Sequence, residues 1–384
     1  MDSPPSRPRV LLIYDWFEPA VQAGGPITSC ANLVRFLGGR MDFFVLTRNR
    51  EMDGTRLERP ADRWLSWEAG ARVCYAERRW GSRGVWRVLR EVRPRVIYLN
   101  GIYSPVGVLL PLLLCGMAAP AARLVLAPRG MLQAGSLSVK AFKKRLFLPL
   151  LCWLLAWRRV TLQVTGAEEE ADLYRVFPRP HRVVRLGNVP RTTIERRANP
   201  LPHHPPRLVT VALISPMKNI LECLQALARL GEPVEYHLFG PVKDPGYWAD
   251  CQRVVAALPA AVGFVYHGPL DREAVPGVLA EHDIYLQPSR SENFGHALFE
   301  ALLAGLPLIT SSNTPWQDLA VRQAGWNVAG EDPAALAAVL RQALDLARDP
   351  IRYQTWSAAA RTVAEEYLAG AGLAEGYGAL LGVG

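Results

Sequence analysis

The sequence predicts an α/β fold made of two doubly wound units, and three observations lead to this class. The chain has 384 residues, a length typical of two or three domains. Short apolar runs alternate with helical patterns over residues 9–186, as in a parallel sheet with helices on both faces. The same alternation starts again after residues 189–206, a stretch rich in proline and charge that is typical of a linker.

In the first array each predicted strand is a short, mostly apolar run, typical of a strand buried on both faces. These strands cover residues 9–14, 42–47, 72–76, 95–99, 123–127, 160–164 and 182–186. Helical patterns cover residues 27–37, 84–92 and 105–117, and glycine or proline ends the first two. Three glutamates at 168–170 indicate the acidic first turn of a further helix.

The second array repeats this organisation, and a helical tail closes the chain. Strands are predicted at residues 208–213, 234–239, 262–266, 284–287 and 306–310. Helices are predicted at residues 219–230, 246–257, 272–281 and 296–304, and the alanine-rich tail from about residue 333 is also helical. We therefore divide the chain into an N-terminal domain (1–190), a linker (191–206), a C-terminal domain (207–365) and a last helix (366–384) that packs back on the first domain.

Composition excludes several classes of protein. Half of the residues are apolar and 21% are charged, which excludes disorder, and no repeat period indicates a solenoid. The six cysteines are scattered without a CxxC pair, so neither a disulfide framework nor a zinc site is predicted. Such thiols suit a reducing cytosol, and the first ten residues lack the apolar core of a signal peptide.

Charge divides unevenly along the chain. Residues 1–190 carry 29 basic and 15 acidic side chains, a net +14, whereas the rest carries 15 and 20, a net −5. No Asp or Glu occurs between Glu91 and Glu168, a stretch with ten basic residues. An N-terminal half with this excess of basic residues predicts an anionic partner, although a solvated basic face would give the same pattern.

The segment from Leu286 to Thr310 contains the most informative candidate functional residues. A strand leads through the loop at residues 288–295 into a helix, with Glu292 in the loop and Glu300 in the helix, spaced E-x7-E. Carboxylates accept paired hydrogen bonds and suit the vicinal diols of sugars and ribose. The backbone N–H groups of a helix start, here residues 293–295, favour phosphate. Together these features predict a site for a nucleotide sugar.

With these motifs the sequence resembles the retaining glycosyltransferases of family 4, which have the GT-B fold. The resemblance covers most of the chain and implies two Rossmann-like domains facing across a cleft. It implies that Glu292 contacts the donor sugar, that Glu300 binds the nucleotide ribose, and that Asn293, Phe294 and Gly295 line the sugar and diphosphate.

Two further segments agree with the resemblance. Ser215 and Lys218 lie between the first strand of the second domain and a helix, where the family has a diphosphate-binding lysine. A lysine at a helix start is electrostatically unfavourable unless an anion lies nearby. Gly24 and Gly25 match the family's glycine loop, where backbone amides can approach phosphate closely; a simple tight turn is the alternative.

Two positions depart from the family pattern. Leu213 stands where the family usually has an arginine, and no histidine occurs before His181, although the family often has one after the fifth N-terminal strand. Arg129 occupies that place. A guanidinium cannot act as a general base, so we predict that it stabilises phosphate charge or binds an anionic acceptor, with a structural ion pair as the alternative. No DxD-type metal pair stands out in a strand-end loop, and neither a metal nor another cofactor is predicted.

The basic run from Lys140 to Arg159 surrounds 12 apolar residues, too few for the roughly 20 that a membrane span needs. It predicts either a buried helix or an interfacial one, with Trp153 and Trp157 at the boundary. In the second case the basic side chains contact the membrane or acceptor. These side chains are Lys140, Lys143, Lys144 and Arg145.

These features lead us to expect a cytoplasmic hexosyltransferase that retains anomeric configuration. Its donor is a nucleoside-diphosphate sugar, and its acceptor is a lipid-linked or growing glycan of cell-surface polysaccharide biosynthesis. Peripheral contact with the inner membrane is left open. The alternatives are a nucleotide-sugar epimerase or hydrolase and a non-catalytic scaffold. A nucleic-acid-binding module is disfavoured, because the basic stretch is aliphatic rather than interleaved with aromatic residues. The sugar, the base, the acceptor, the linkage and the oligomeric state stay open.

Overall fold

The computed structural model describes residues 7–132, 141–192, 194, 201–329 and 331–382, and only the backbone of residues 141–146. The chain divides into two compact units. Unit 1 comprises Met1–Val189 with Ala371–Gly384, and unit 2 comprises Pro190–Gly370. Each unit has its own sheet, so the predicted α/β class with two doubly wound units is confirmed.

Unit 1 contains an eight-stranded sheet in the order β3-β4-β2-β1-β5-β6-β7-β8. Its strands are β1 (Arg9–Ile13), β2 (Asp42–Arg48), β3 (Trp64–Ser66), β4 (Arg72–Ala76), β5 (Val96–Asn100), β6 (Arg123–Ala127), β7 (Thr161–Val164) and β8 (Arg182–Arg185). All pairs are parallel except β3 with β4. The three-residue β3 was not predicted, because so short an edge strand has no readable periodicity.

Helices cover the sheet of unit 1. They are α1 (Gly25–Leu37), α2 (Ser82–Val92), α3 (Leu110–Ala118), α4 (Ala141–Trp157), α5 (Ala167–Val176) and, from the end of the chain, α12 (Leu373–Leu381). A π-helical turn, Pro105–Leu109, precedes α3. The side chain of Tyr377 fixes α12 to unit 1, because its hydroxyl accepts from Gln163 Nε2 at 3.1 Å and donates to the Gly187 carbonyl at 3.0 Å.

Unit 2 contains a six-stranded parallel sheet in the order β11-β10-β9-β12-β13-β14. Its strands are β9 (Arg207–Val211), β10 (Val234–Phe239), β11 (Val262–Gly268), β12 (Ile284–Gln287), β13 (Leu308–Ser311) and β14 (Gly325–Val328). Its helices are α6 (Ile220–Leu227), α7 (Pro245–Val255), α8 (Val275–Ala280), α9 (His296–Ala304), α10 (Pro333–Ala347) and α11 (Pro350–Gly370). Strand β14 was not predicted, because its four residues show no clear alternation of apolar and polar side chains.

Among the described helices, none is both long and apolar enough to cross a bilayer. Helix α4 is exposed along part of its length rather than wholly buried, with Leu150, Trp153 and Trp157 at 47%, 58% and 54% exposure. Lys140 lies outside the described residues, and Lys143, Lys144 and Arg145 are described only as backbone of α4.

Candidate functional site

The predicted site in unit 2 is built around the loop between β12 and α9. Strand β12 ends at Gln287, and α9 begins at His296. Gly295, the residue before the helix, has φ +74°, and a Cβ atom there would lie 2.8 Å from Leu298 Cδ1. The turn into α9 therefore requires glycine at this position.

The aromatic ring of Phe294 anchors this loop in the core of unit 2. Phe294 is 6% exposed and packs against Phe299, Trp316 and Tyr367. Trp316 Nε1 donates to the Phe294 carbonyl at 2.8 Å. Within the described ranges, the backbone N–H groups of Phe294 and Gly295 donate to no protein acceptor. Two donors at a helix start thus remain available to an anion.

Glu292 is held in place by three side chains. Its Oε1 atom accepts hydrogen bonds from Ser289 Oγ at 2.8 Å, from Gln287 Nε2 at 2.9 Å and from Lys218 Nζ. Its side chain is 12% exposed. Sequence reasoning missed Gln287 and Ser289 as partners, although a glutamine that closes an apolar strand was a readable signal. The network fixes one carboxylate oxygen of Glu292, and Oε2 makes none of these bonds.

Lys218 reaches Glu292 because two loops are tied together. Lys218 ends the 3-10 turn Pro216–Lys218, which follows β9 and begins after Ser215. The next residue, Asn219, donates from Nδ2 to the Pro288 carbonyl at 2.9 Å, and Arg290 Nε donates to Asn219 Oδ1 at 2.9 Å. The structure thus brings together two residues 74 positions apart that were predicted separately.

Glu300 lies on α9 and is 6% exposed. Burial raises the pKa of its carboxyl group, while the charges of Arg191 and Arg272 lower it. Arg191 Nε lies 3.6 Å from Glu300 Oε1, and Arg191 Nη2 donates to the Arg272 carbonyl at 2.9 Å. Arg191 was not predicted, since it lies in the segment interpreted as a linker.

A second cation lies near Lys218. Val242 forms a β-bridge with Ile214, and the Lys243 N–H donates to the Ile214 carbonyl at 3.0 Å. Displacement of water by neighbouring protein atoms and the charge of Lys218 lower the pKa of Lys243. Lys243 therefore places positive charge beside Lys218, in a chain where Leu213 stands at the position at which the family usually has an arginine. Lys243 was not predicted as part of the site, because it lies in a different loop, far from Lys218 in the sequence.

In unit 1 the predicted glycine loop precedes α1. Gly24 has φ +65°, and its N–H donates to the Val21 carbonyl at 3.0 Å, while Gly25 is the first helical residue. Glu51, which sequence reasoning missed, accepts from Val21 N at 2.7 Å and from Gln22 N at 3.2 Å. This carboxylate fixes the loop, and whether the loop binds phosphate stays a prediction.

Arg129 follows β6 and is 7% exposed, with φ +56°. Its Nε donates to Asn100 Oδ1 at 2.9 Å, its Nη2 donates to the Tyr98 hydroxyl at 2.6 Å, and its Nη1 donates to Asn188 Oδ1. No carboxylate in the described parts of the chain forms an ion pair with it. The partners seen are neutral, which differs from the alternative of a structural ion pair; a role toward a ligand stays a prediction.

No group of three or more His, Cys, Asp or Glu side chains could hold a metal ion in the portion of the chain that the structure describes. Transfer without a metal stays a prediction.

Most of unit 2 matches a known protein family. Residues 191–363 match the sequence model of the family described as glycosyl transferases group 1. A 2-deoxystreptamine glucosyltransferase of Streptomyces kanamyceticus is 33% identical over 98 residues, which are 26% of this chain and 25% of that protein. The chain thus aligns with only about a quarter of this curated relative.

Solved structures match almost the whole chain. Sucrose-phosphate synthase from Thermosynechococcus elongatus superposes with a TM-score of 0.71 at 18% identity, covering 99% of this chain and 100% of that one. Anabaena HepE in complex with UDP and glucose gives 0.67 at 15% identity, covering 94% and 95%. WaaG, a glycosyltransferase involved in lipopolysaccharide biosynthesis, gives 0.63 at 16%, covering 98% and 100%. The fold is GT-B. At these identities the likeness establishes the fold alone.

Proposed function

We propose that this protein is a retaining glycosyltransferase that uses a nucleoside-diphosphate sugar as donor. The observation that carries the proposal is the Lys218–Glu292 pair beside the helix start at Gly295, inside the segment that matches glycosyl transferases group 1. A cation, a held carboxylate and free backbone N–H groups match the phosphates and hydroxyls of such a donor. The Anabaena HepE complex, with UDP and glucose, supports this class of donor.

In the proposed donor complex, Lys218 and the N–H groups of Phe294 and Gly295 bind the diphosphate. Glu292 accepts hydrogen bonds from sugar hydroxyls, and Glu300 accepts from the ribose diol. During transfer, the bond between the anomeric carbon and the diphosphate oxygen breaks. The acceptor oxygen bonds to the same face of the sugar, and its proton passes to the departing diphosphate. The protein contributes orientation and stabilises the charge that develops on the leaving group.

Thermal-shift screening of UDP, GDP, ADP and TDP, and of their sugars, tests donor binding. We expect one base to stabilise the wild-type protein and Glu300→Ala to lose that shift. Proton NMR of the product then reports the anomeric configuration. Consumption of the nucleotide sugar without transfer would favour an epimerase or hydrolase, and a lack of any shift would favour a scaffold.

We propose a lipid-linked or growing glycan of a cell-surface polysaccharide as the acceptor, reached at the membrane. The supporting observation is an exposed apolar surface on α3 and α4, here called the α3–α4 patch: Leu113, Met117, Leu150, Trp153 and Trp157. The two tryptophan rings stack with centroids 5.3 Å apart. Arg158 lies 3.9 Å from the Trp157 ring centre and donates from Nε to the Leu112 carbonyl at 2.8 Å. Aromatic rings beside cations suit the interface of an anionic membrane.

Co-sedimentation with phosphatidylglycerol vesicles tests this contact. We expect Trp153→Ala with Trp157→Ala to lower pelleting, because both rings are exposed and their removal leaves the core intact. The matched control is Val321→Ala with Ile351→Ala, two side chains that are 86% and 79% exposed elsewhere. Equal pelleting of the two double variants would contradict the membrane proposal. A further variant without Lys143, Lys144 and Arg145 tests the basic flank.

A further inference from the structure

Strand β12 carries two polar side chains that are not among the proposed donor contacts. Tyr285 and Gln287 are two residues apart, so they project from the same face of the strand. Both are buried, at 0% and 2% exposure, and Tyr285 packs with Phe299 and Leu302 of α9. Buried polar side chains require hydrogen-bond partners. The partners of these two side chains lead to Glu292.

The amide nitrogen of Gln287 uses both of its protons. Nε2 lies 2.9 Å from Glu292 Oε1 and 3.1 Å from Ser289 Oγ, and an amide nitrogen carries two protons. The opposite orientation of the amide would place its oxygen against the Glu292 carboxylate, which is repulsive. The amide oxygen of Gln287 therefore faces away from Glu292 and requires a donor of its own.

The hydroxyl of Tyr285 is that donor. It lies 2.9 Å from Gln287 Oε1 and accepts from the Val211 N–H at 3.1 Å. The Val211 carbonyl, 3.0 Å away, is a second acceptor for the same proton. Burial raises the pKa of Tyr285, against the lowering effect of the Val211 N–H, and nearby carboxylates raise it further, so the hydroxyl keeps its proton. A continuous chain of hydrogen bonds thus runs from the backbone of β9 through Tyr285 and Gln287 to Glu292.

This chain of hydrogen bonds makes the two oxygens of Glu292 unequal. Oε1 accepts from Ser289 Oγ, Gln287 Nε2 and Lys218 Nζ. A carboxylate oxygen has two lone pairs, so Gln287 and Ser289 still occupy Oε1 after a diphosphate has taken over Lys218. Oε2 makes none of these bonds, and it is therefore the oxygen left to accept from the donor sugar.

We propose that Gln287, oriented by Tyr285, is a positioning residue that holds Glu292 with Oε2 free for a hydroxyl group of the donor sugar. The physical effect is preorganisation, because the carboxylate is already fixed when the sugar arrives and binding orders one side chain fewer. Gln287 and Tyr285 act through Glu292 and not on the diphosphate. This inference rests on the proposed glycosyltransferase function and adds the residues that orient its sugar contact.

The test compares the affinity of full-length protein for two ligands. One is the nucleotide sugar that gives the largest thermal shift in the panel above, and the other is its nucleoside diphosphate without the sugar. Titration calorimetry measures both dissociation constants. The variants are Gln287→Met, which keeps the length of the side chain without its amide, Tyr285→Phe, and the double variant. The matched control is Tyr236→Phe, at a buried tyrosine of β10 whose hydroxyl lies 2.8 Å from Thr210 Oγ1.

We expect Gln287→Met to raise Kd for the nucleotide sugar about tenfold, roughly the effect of one lost hydrogen bond to a charged group. Tyr285→Phe should raise it about threefold, because Gln287 then lacks the donor that orients its amide. The double variant should match Gln287→Met, since Tyr285 acts only through Gln287. In all three variants Kd for the nucleoside diphosphate should stay within about twofold of wild type, as should both constants of Tyr236→Phe.

Melting temperatures identify the variants that fold, and either single variant decides the outcome if the other does not fold. Three results would overturn the positioning role. They are unchanged affinity for the nucleotide sugar in the folded variants, equal losses for both ligands, and additive losses in the double variant. Failure of the wild type to bind any nucleotide sugar would instead refute the proposed function, and so the two failures are distinguishable.

Discussion

Lys218 Nζ donates to Glu292 Oε1, and this contact joins the loop after β9 to the loop after β12. The two side chains are 20% and 12% exposed. In the free protein each neutralises the other, so neither charge lies uncompensated in a poorly hydrated place. A diphosphate that takes over Lys218 would release Glu292 toward the sugar.

The first prediction concerns this pair. Glu292→Gln should lower kcat/KM by roughly 100-fold or more, because the charge is lost while the amide oxygen can still accept from Gln287 and Ser289. The melting temperature should fall slightly, because Lys218 loses the compensating charge but keeps an amide oxygen as acceptor. Steady-state kinetics and calorimetry measure both. Glu281→Gln, at an exposed carboxylate, serves as the control, and a variant of Glu292 that kept wild-type kcat/KM would refute a role in transfer.

The second prediction concerns Arg191 and Glu300. Arg191 lowers the pKa of Glu300 against the raising effect of burial, so Arg191→Ala should raise that pKa further. In the proposed donor complex the ribose contact needs the ionised Glu300 carboxylate, so nucleotide affinity should be lost as pH falls through this pKa. The loss should begin at higher pH in Arg191→Ala. Titration calorimetry over a series of pH values measures the midpoint in both proteins, and an unmoved midpoint argues against the coupling.

The third prediction concerns Lys243. We propose that it supplies the second cation for the diphosphate that Leu213 cannot provide. Lys243→Ala should weaken binding of the nucleoside diphosphate about tenfold, roughly the value of one charge-assisted contact, and leave the monophosphate nearly unaffected. Arg253→Ala, at an exposed cation on α7, is the control. If Lys243→Ala lost equal affinity for the diphosphate and the monophosphate, Lys243 would not be the cation that contacts the second phosphate.

The fourth prediction compares two glycines. Gly295→Ala should destabilise the fold by about 1–2 kcal/mol and weaken nucleotide binding, because φ is +74° and the new Cβ would meet Leu298. Gly277→Ala in α8 meets no atom within 4 Å and should be neutral or stabilising by about 0.5–1 kcal/mol. Urea unfolding measures both. A tolerated alanine at position 295 would show that the loop does not need this turn.

The fifth prediction concerns pH and His282. Burial lowers the pKa of His282 to about 4, against the opposing effect of the Val278 carbonyl, which lies 2.6 Å from Nδ1. The unfolded chain therefore binds more protons between pH 6.5 and 4, and stability falls as pH falls through this window. The loss from pH 7 to pH 5 should be about 2 kcal/mol. His282→Gln should reduce this slope, whereas His204→Gln, at an exposed histidine, should not.

The sequence alone determined the elements that local patterns encode. Strands 72–76, 123–127, 234–239 and 284–287 and helix 296–304 lie where apolar periodicity and flanking breakers predicted them. Position 295 could be recognised as a glycine turn because backbone sterics are local. The pattern from Glu292 to Glu300 was likewise readable, since both lie within one loop and the helix after it.

Tertiary structure decided which distant residues meet. The ion pair of Lys218 with Glu292, the approach of Arg191 to Glu300 and the neutral partners of Arg129 join residues far apart in sequence. Edge strand β14 also depended on tertiary context. Only glycine fits at position 325, because a Cβ atom there would clash with the backbone of Leu308 in the neighbouring strand. Local propensity acts over a few residues, whereas such contacts depend on how whole strands and loops pack, so no spacing rule in one sequence specifies them.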